Sequence, residues 1–241
     1  MEQPLCGDPL FECLQGEAFS AQGSFEWHQA RLGCVTASRV ADVVSRTRSG
    51  YGAARQAYMR QLVAERLTGV PTAIVPTSAM SWGLEMEDYA VEAYEDVTGF
   101  VTQAVGFLRH SSLACAGASP DRLVGDVGLL EIKCPTTVTH IDTLLSGDPA
   151  GRHVLQMQWQ LACSGRQWCD FVSYDPRLPE AYACFITRIA RDDAMIAQLE
   201  AEVGIFLDEV ERKLGALEMA ASHSRYATAC TPRGVHCGAE F

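Results

Sequence analysis

The chain has 241 residues, a hydrophobic fraction of 48% and a formal net charge of −11. No apolar run approaches the roughly 20 residues that a membrane-spanning helix needs, which argues against a membrane protein. The ten cysteines form no C-x-x-C pair, which argues against a zinc ribbon, and the chain is neither short nor cysteine-dense, which argues against a secreted disulfide scaffold. Because the N-terminus carries no visible secretory signal, we expect a cytoplasmic protein with reduced cysteines.

Hydrophobic periodicity and stop signals predict a mixture of helices and strands. Helices are predicted, from the N-terminus, over Thr36 to about Ser45, Ala53–Thr68, Ser78–Thr98, 138–146, Arg152–Cys163 and Arg191–Leu217. Strands are predicted over Phe100–Arg109, Leu113–Ala118, Asp121–Val124, Leu129–Lys133, Trp168–Tyr174 and Tyr182–Ile189. A loop is predicted over Arg46–Gly52, and a hairpin turn over Gly125–Gly128.

This order of elements predicts an α/β protein with a mixed central sheet flanked by helices. We expect one domain over residues 25–218. Residues 1–24 show no clear period and are expected to be a loosely ordered lead-in. Residues 219–241 are small and polar, and we expect a C-terminal tail that is mobile.

Charge is distributed unevenly along the chain. Residues 31–66 hold seven arginines against Asp42 and Glu65, whereas residues 85–96 and 192–218 are strongly acidic. A basic face could bind phosphates while the acidic remainder keeps the protein in solution. For Arg55, Arg60 and Arg66 the alternative is that they form only the solvated face of a helix.

The lysine count is also informative. The basic residues are 17 arginines and only two lysines, Lys133 and Lys213. A lysine retained in an arginine-rich chain indicates a need for an amine that can lose a proton, although drift would give the same count.

Three residues form the sharpest chemical pattern in the sequence. Asp121 and Glu131 can converge if they lie on the two arms of one hairpin, and Glu131 and Lys133 point to the same face of a strand. Two carboxylates and an amine suit metal-dependent hydrolysis of a phosphodiester, because Mg²⁺ binds hard oxygen ligands. The alternative is a surface ion pair between Glu131 and Lys133. The apolar neighbours of these two residues argue against it.

The wider sequence resembles a known family. Pro-Asp followed by Glu-x-Lys resembles the motif of the PD-(D/E)XK nuclease superfamily. Six ordered blocks are similar to lambda-phage-type exonucleases and the related YqaJ-like viral recombinases: Trp27-His28 with Arg31–Ser38, Trp82-Gly83-x-x-x-Glu87, Ser119-Pro120-Asp121, Glu131–Pro135, Gln156–Trp159 and Tyr174–Arg177.

The resemblance implies a role for each matched residue. Asp121 and Glu131 would hold Mg²⁺, with Mn²⁺ as a substitute, helped by the carbonyl of Ile132. Glu87 would complete a second metal position. Lys133 would activate or position the attacking water, and Gln156 would border the site.

The resemblance also implies a pocket for a 5′-phosphate, formed by Arg31, Thr36, Ala37, Ser38 and Ser119. A helix start in this segment would present free backbone N–H groups, which favour anions. Without the resemblance, an ordinary helix cap beside a surface arginine is the simpler interpretation. The sequence departs from the family pattern at Arg122, where a small residue is usual, so that this side chain could reach DNA or narrow the site.

The activity implied by the resemblance is 5′→3′ exonuclease digestion of one strand of linear duplex DNA, which leaves a 3′ single strand. The family further implies a ring-shaped homotrimer and a single-strand annealing protein as partner. Two alternatives stay open: a restriction-like endonuclease of the same superfamily, and a non-catalytic DNA-binding module.

Overall fold

The structure is a computed structural model that describes residues 21–48, 50–73 and 75–229. Within these residues the helices are α1 (Phe25–Arg31), α2 (Val40–Val43), α3 (Ala53–Thr68), α4 (Ser78–Thr98), α5 (Thr137–Ser146), α6 (Gly151–Ser164), α7 (Glu180–Ala183) and α8 (Asp193–Ala229). A 3-10 turn over Ala37–Arg39 leads into α2. The expectations for residues 1–20 and 230–241 lie outside the described part of the chain.

The strands are β1 (Val35–Thr36), β2 (Arg46–Thr47), β3 (Gly50–Tyr51), β4 (Thr102–Ala104), β5 (Leu108–Arg109), β6 (Ala116–Ala118), β7 (Arg122–Val124), β8 (Gly128–Lys133), β9 (Trp168–Tyr174) and β10 (Cys184–Ala190). The main sheet has the order β10-β9-β8-β7-β4. In it β8 and β9 run parallel, and the other neighbours are antiparallel. A smaller sheet has the order β1-β6-β5.

Helices α3 and α4 have the bounds that the sequence predicts. Each ends at a glycine in the left-handed region, Gly69 at φ 67° and Gly99 at φ 71°. The amide of each glycine donates to the carbonyl four residues earlier, which closes the helix. Glycine adopts this conformation without a Cβ clash. The end of each helix can therefore be predicted from the glycine in the local sequence.

The predicted strands over 100–118 are too long. The first divides into β4 and β5, which belong to different sheets, and the second is reduced to β6. The chain must cross from one sheet to the other here, which local periodicity cannot reveal. Cys115, directly before β6, has a positive φ of 56°, as expected for a tight reversal rather than an extended strand.

Three further predictions need correction. The predicted loop over Arg46–Gly52 contains the hairpin β2–β3. The predicted helix from Thr36 is interrupted, because Thr36 pairs in β1 and the following turn is 3-10. The last helix extends to Ala229, beyond the end predicted at Leu217.

Helices α4 and α6 cover opposite faces of the main sheet. Ala90 and Tyr94 of α4 pack in one apolar cluster with Leu130 and Ile132 of β8. On the other face, Met157 and Leu161 of α6 pack with Leu129. Alternation along β8 therefore directs Glu131 and Lys133 towards α6.

The arginine-rich segment is largely neutralised within the fold. Arg46, Arg55 and Arg66 pair with Glu202, Glu209 and Glu211 of α8. Arg55 is fully buried, so neither a solvated helix face nor a phosphate-binding face describes it. The acidic helix is the partner of the basic segment, across more than 140 residues of sequence. No helix in the described part of the chain is long and apolar enough to cross a membrane.

Candidate active site

The hairpin β7–β8 brings Asp121 next to Glu131. The antiparallel register pairs Arg122 with Leu130, so the next residues outward, Asp121 and Glu131, lie opposite each other. Asp121 Oδ2 accepts a hydrogen bond of 2.6 Å from the Ile132 amide, which fixes its side chain. Burial, and then the negative charge of Glu131, raise the pKa of Asp121 well above its ordinary value. The raised pKa reflects a carboxyl group that is buried beside a second carboxylate, and the nearby Lys133 amine offsets this effect only in part.

Glu131 is 1% exposed and is surrounded by donors. Its Oε1 accepts from Lys133 Nζ and from Gln156 Nε2, the latter at 2.6 Å. Its Oε2 accepts from Gln160 Nε2 at 2.5 Å. A buried carboxylate needs donors of this kind, because it has left its water shell.

The protonation of Lys133 depends on two opposing effects. Burial lowers the pKa of Lys133, but the charges of Glu131 and Asp121 outweigh it and raise the pKa above the ordinary value. In the absence of an ion, Lys133 is therefore a charged ammonium that neutralises part of the carboxylate pair.

Gln160 is a site residue that the sequence analysis missed. It is fully buried and lies one helical turn after Gln156 on the same face of α6. The spacing of the two glutamines was visible in the sequence. The contact with Glu131 was not, because it depends on how α6 crosses β8.

Glu87 is held by Arg122. The Arg122 guanidinium donates to Glu87 Oε1 at 3.0 Å and to Asp88 Oδ1 at 3.1 Å. It also donates to the Asp121 carbonyl at 2.8 Å. Arg122 is thus directed at α4 beside the site, and its contact with DNA stays a prediction.

The donor chemistry of the site fits Mg²⁺. Asp121, Glu131 and Glu87 offer carboxylate oxygens. Ile132 follows Glu131 on strand β8 and offers its backbone carbonyl. As the side chains stand, no three His, Cys, Asp or Glu residues in the described ranges are grouped closely enough to hold an ion. The Ile132 amide, the two glutamines, Lys133 and Arg122 donate hydrogen bonds to these carboxylate oxygens.

A cavity of about 590 Å³ contains most of the expected phosphate-binding residues, with Arg31, Thr36 and Ser38 in its lining. Ser119 Oγ accepts from Arg31 Nη1 and from Trp27 Nε1, both at 2.9 Å. Within the described residues no carboxylate lies within 4 Å of the Arg31 guanidinium, and burial lowers the pKa of Arg31. A desolvated cation of this kind favours an anion.

Two residues of the expected pocket, Thr36 and Ala37, do not offer a free backbone N–H group or a cavity surface in the way that the sequence predicts. The Thr36 amide donates to Tyr58 Oη at 3.2 Å, so it is not a free N–H. Ala37 is buried at the start of the 3-10 turn and is not part of the cavity lining. Ser119 contributes through its contact with Arg31, two residues before Asp121.

Known proteins with a similar sequence or fold indicate the family of this chain. Residues 26–167 match the model of the YqaJ-like viral recombinase domain. A search of curated protein sequences gives no significant match. A crystal structure of the alkaline exonuclease LHK-Exo from Laribacter hongkongensis shares 50% identity, covers 83% of this chain and 99% of its own, and superposes with a TM-score of 0.78.

Two further solved structures are similar. LHK-Exo in complex with dAMP shares 50% identity over the same shares of the two chains, with a TM-score of 0.79. A phage-related exonuclease from Haemophilus somnus shares 13% identity, covers 76% of this chain and 96% of its own, and has a TM-score of 0.59, which bears on the fold alone. The predicted PD-(D/E)XK-type fold and deoxyribonuclease class are confirmed. The chain therefore belongs to the YqaJ-like viral recombinase family.

Proposed function

We propose that this protein is a Mg²⁺-dependent exonuclease that removes nucleotides 5′→3′ from one strand of linear duplex DNA and leaves a 3′ single strand. The observation that carries the proposal is the meeting of Asp121, Glu131 and Lys133 on adjacent strands. The similarity to an alkaline exonuclease at 50% identity supports the same class of reaction.

Each residue of the site has a part in the proposed reaction. Asp121 and Glu131 would hold the ion together with the Ile132 carbonyl, and Glu87 would serve a second position. Mg²⁺, when bound, would polarise the phosphoryl oxygen and lower the pKa of bound water. The Lys133 amine contacts Glu131, and it would activate or position the attacking water or stabilise negative charge that develops on the phosphate.

Gln156 has a supporting part in this scheme. Its amide donates to Glu131 Oε1, the same oxygen that Lys133 contacts. It therefore keeps that carboxylate aligned with the amine, at the border of the site. Mn²⁺ would substitute for Mg²⁺, because it accepts the same oxygen donors.

The pocket around Arg31 accounts for the proposed polarity. Arg31 and Ser119 would bind the terminal 5′-phosphate, and Ser38 lines the same cavity. Only Pro120 separates Ser119 from Asp121 in the sequence. An end bound at Arg31 therefore lies near the carboxylates, which favours cleavage close to a phosphorylated 5′ end.

The assembly and partner are part of the same proposal. We propose a ring-shaped homotrimer that encloses the duplex, and a single-strand annealing protein that receives the 3′ strand during recombination. A ring also reconciles a net charge of −11 with DNA binding, because only the channel needs to be positive.

Duplex digestion distinguishes the proposal from its alternatives. Linear duplex DNA labelled on the 5′ or the 3′ end, phosphorylated or not, is incubated with Mg²⁺ or with a chelator. We expect rapid loss of the phosphorylated 5′ strand with Mg²⁺, and intact closed circles. Cleavage of closed circles would indicate an endonuclease. DNA binding without any Mg²⁺-dependent hydrolysis would indicate a non-catalytic module.

A further inference from the structure

Gln160 occupies a position where an apolar residue would pack with less cost. It lies between Trp159 and Leu161, which are both fully buried core residues of α6, and it is itself fully buried. Burying an amide without partners costs several kcal/mol at most and roughly 1–3 kcal/mol in typical proteins. A glutamine here therefore needs specific partners.

The partners of Gln160 define its orientation. Its Nε2 donates to Glu131 Oε2 at 2.5 Å, and its Oε1 accepts from the Cys169 thiol at 4.0 Å. Burial raises the pKa of Cys169, so this thiol keeps the proton that it donates. Cys169 also has the Asp170 carbonyl as an acceptor at 3.7 Å, so the amide orientation is fixed by Glu131, whose carboxylate only accepts and therefore requires the NH₂ end of Gln160.

The two oxygens of Glu131 have different surroundings. Oε2 contacts the fully buried Gln160, whereas Oε1 contacts Lys133, whose side chain is 32% exposed. Rotation of the carboxylate would break the contact with Gln160 and leave a buried donor without an acceptor. Oε1 is therefore the Glu131 oxygen on the side of Lys133 and Gln156, which are both less buried than Gln160.

We propose that Gln160 is a positioning residue for the nuclease reaction, which anchors Glu131 Oε2 so that Oε1 faces the ion and the scissile phosphate. The inference rests on the proposed function, because it assumes that Glu131 is a metal ligand. Loss of residues that orient a metal ligand typically lowers metal affinity or activity about 10- to 100-fold.

The test compares two methionine variants on the same helix. Gln160→Met keeps the side-chain volume and removes the donor to Glu131. Gln158→Met is the matched control, since Gln158 is also buried but, among the described residues, bonds only the backbone of Ala190 and Asp192. Digestion of 5′-phosphorylated linear duplex gives kcat and KM, and calorimetric titration with Mn²⁺ gives ion affinity without turnover.

We expect Gln160→Met to lose at least about tenfold in kcat and in Mn²⁺ affinity, with KM for DNA ends within about threefold. Gln158→Met should keep both values within about threefold, whatever its melting temperature. If Gln160→Met does not fold, Gln160→Ser must show the same loss. Native-like kcat and Mn²⁺ affinity in a folded Gln160 variant, or an equal loss in Gln158→Met, would overturn the proposal. An inactive native enzyme would instead refute the proposed function.

Discussion

Arg122 and Glu87 form an ion pair with 3.0 Å between Nη1 and Oε1, and this pair links the residue after Asp121 to helix α4. The pairing places a cation at the carboxylate proposed for the second metal position. An ion at that position would compete with the guanidinium, because like charges at such distances repel strongly in a partly buried site.

Removal of the Arg122 charge should therefore strengthen ion binding. We expect Arg122→Ser to bind Mn²⁺ about fivefold more tightly and to reach half-maximal digestion at a correspondingly lower Mg²⁺ concentration. Arg122→Lys keeps the charge and should stay close to the native protein. Weaker ion binding in Arg122→Ser would show that the arginine holds Glu87 in place for the metal.

Arg31 should determine the preference for a phosphorylated end. We expect Arg31→Ala to digest 5′-phosphorylated duplex about 10- to 100-fold more slowly, because a hydrogen bond to a charged group contributes roughly 1.5–3 kcal/mol. Digestion of ends without the phosphate should change little. Arg60→Ala is the control, since Arg60 is exposed on α3 and donates to the Gln56 carbonyl within its own helix. An unchanged ratio between the two kinds of end in Arg31→Ala would contradict the pocket.

The pairing of α3 with α8 predicts unequal effects on stability. Glu209 accepts from Arg55, which is 0% exposed, and Glu209→Ala would leave that guanidinium buried without its carboxylate. We expect the free energy of unfolding to fall by about 3 kcal/mol, measured by denaturant titration. Glu211→Ala is the matched control. Glu211 is 65% exposed, and loss of its pair with Arg66 should change stability by less than about 1 kcal/mol. Equal effects of the two changes would be inconsistent with this packing.

The sequence predicts those parts of the fold that depend on local chemistry. Helices α3 and α4 end at Gly69 and Gly99, because a left-handed glycine closes a helix wherever it lies. The hairpin at Gly125–Gly128 and the alternation along β8 are local in the same sense. These local features are sufficient to predict from the sequence that Asp121, Glu131 and Lys133 lie close together.

The remaining features depend on contacts between distant segments. The division of residues 100–118 between two sheets follows from the packing of β1 against β6, not from the local pattern. Gln160 belongs to the site only because α6 crosses β8 at that turn. The partners of Arg55 and Arg122 lie 154 and 35 residues away, so the charge pattern alone could not identify them.

Replacement of Asp121 by asparagine tests the catalytic centre most directly. The Ile132 amide donates to Asp121 Oδ2, and an asparagine carbonyl can accept the same bond, so the hairpin should be retained. We expect Asp121→Asn to digest linear duplex DNA at least about 100-fold more slowly than the native protein, with a melting temperature that is not lowered and with unchanged binding of DNA ends. Digestion within about tenfold of the native rate in this folded variant would contradict a centre built on Asp121, Glu131 and Lys133.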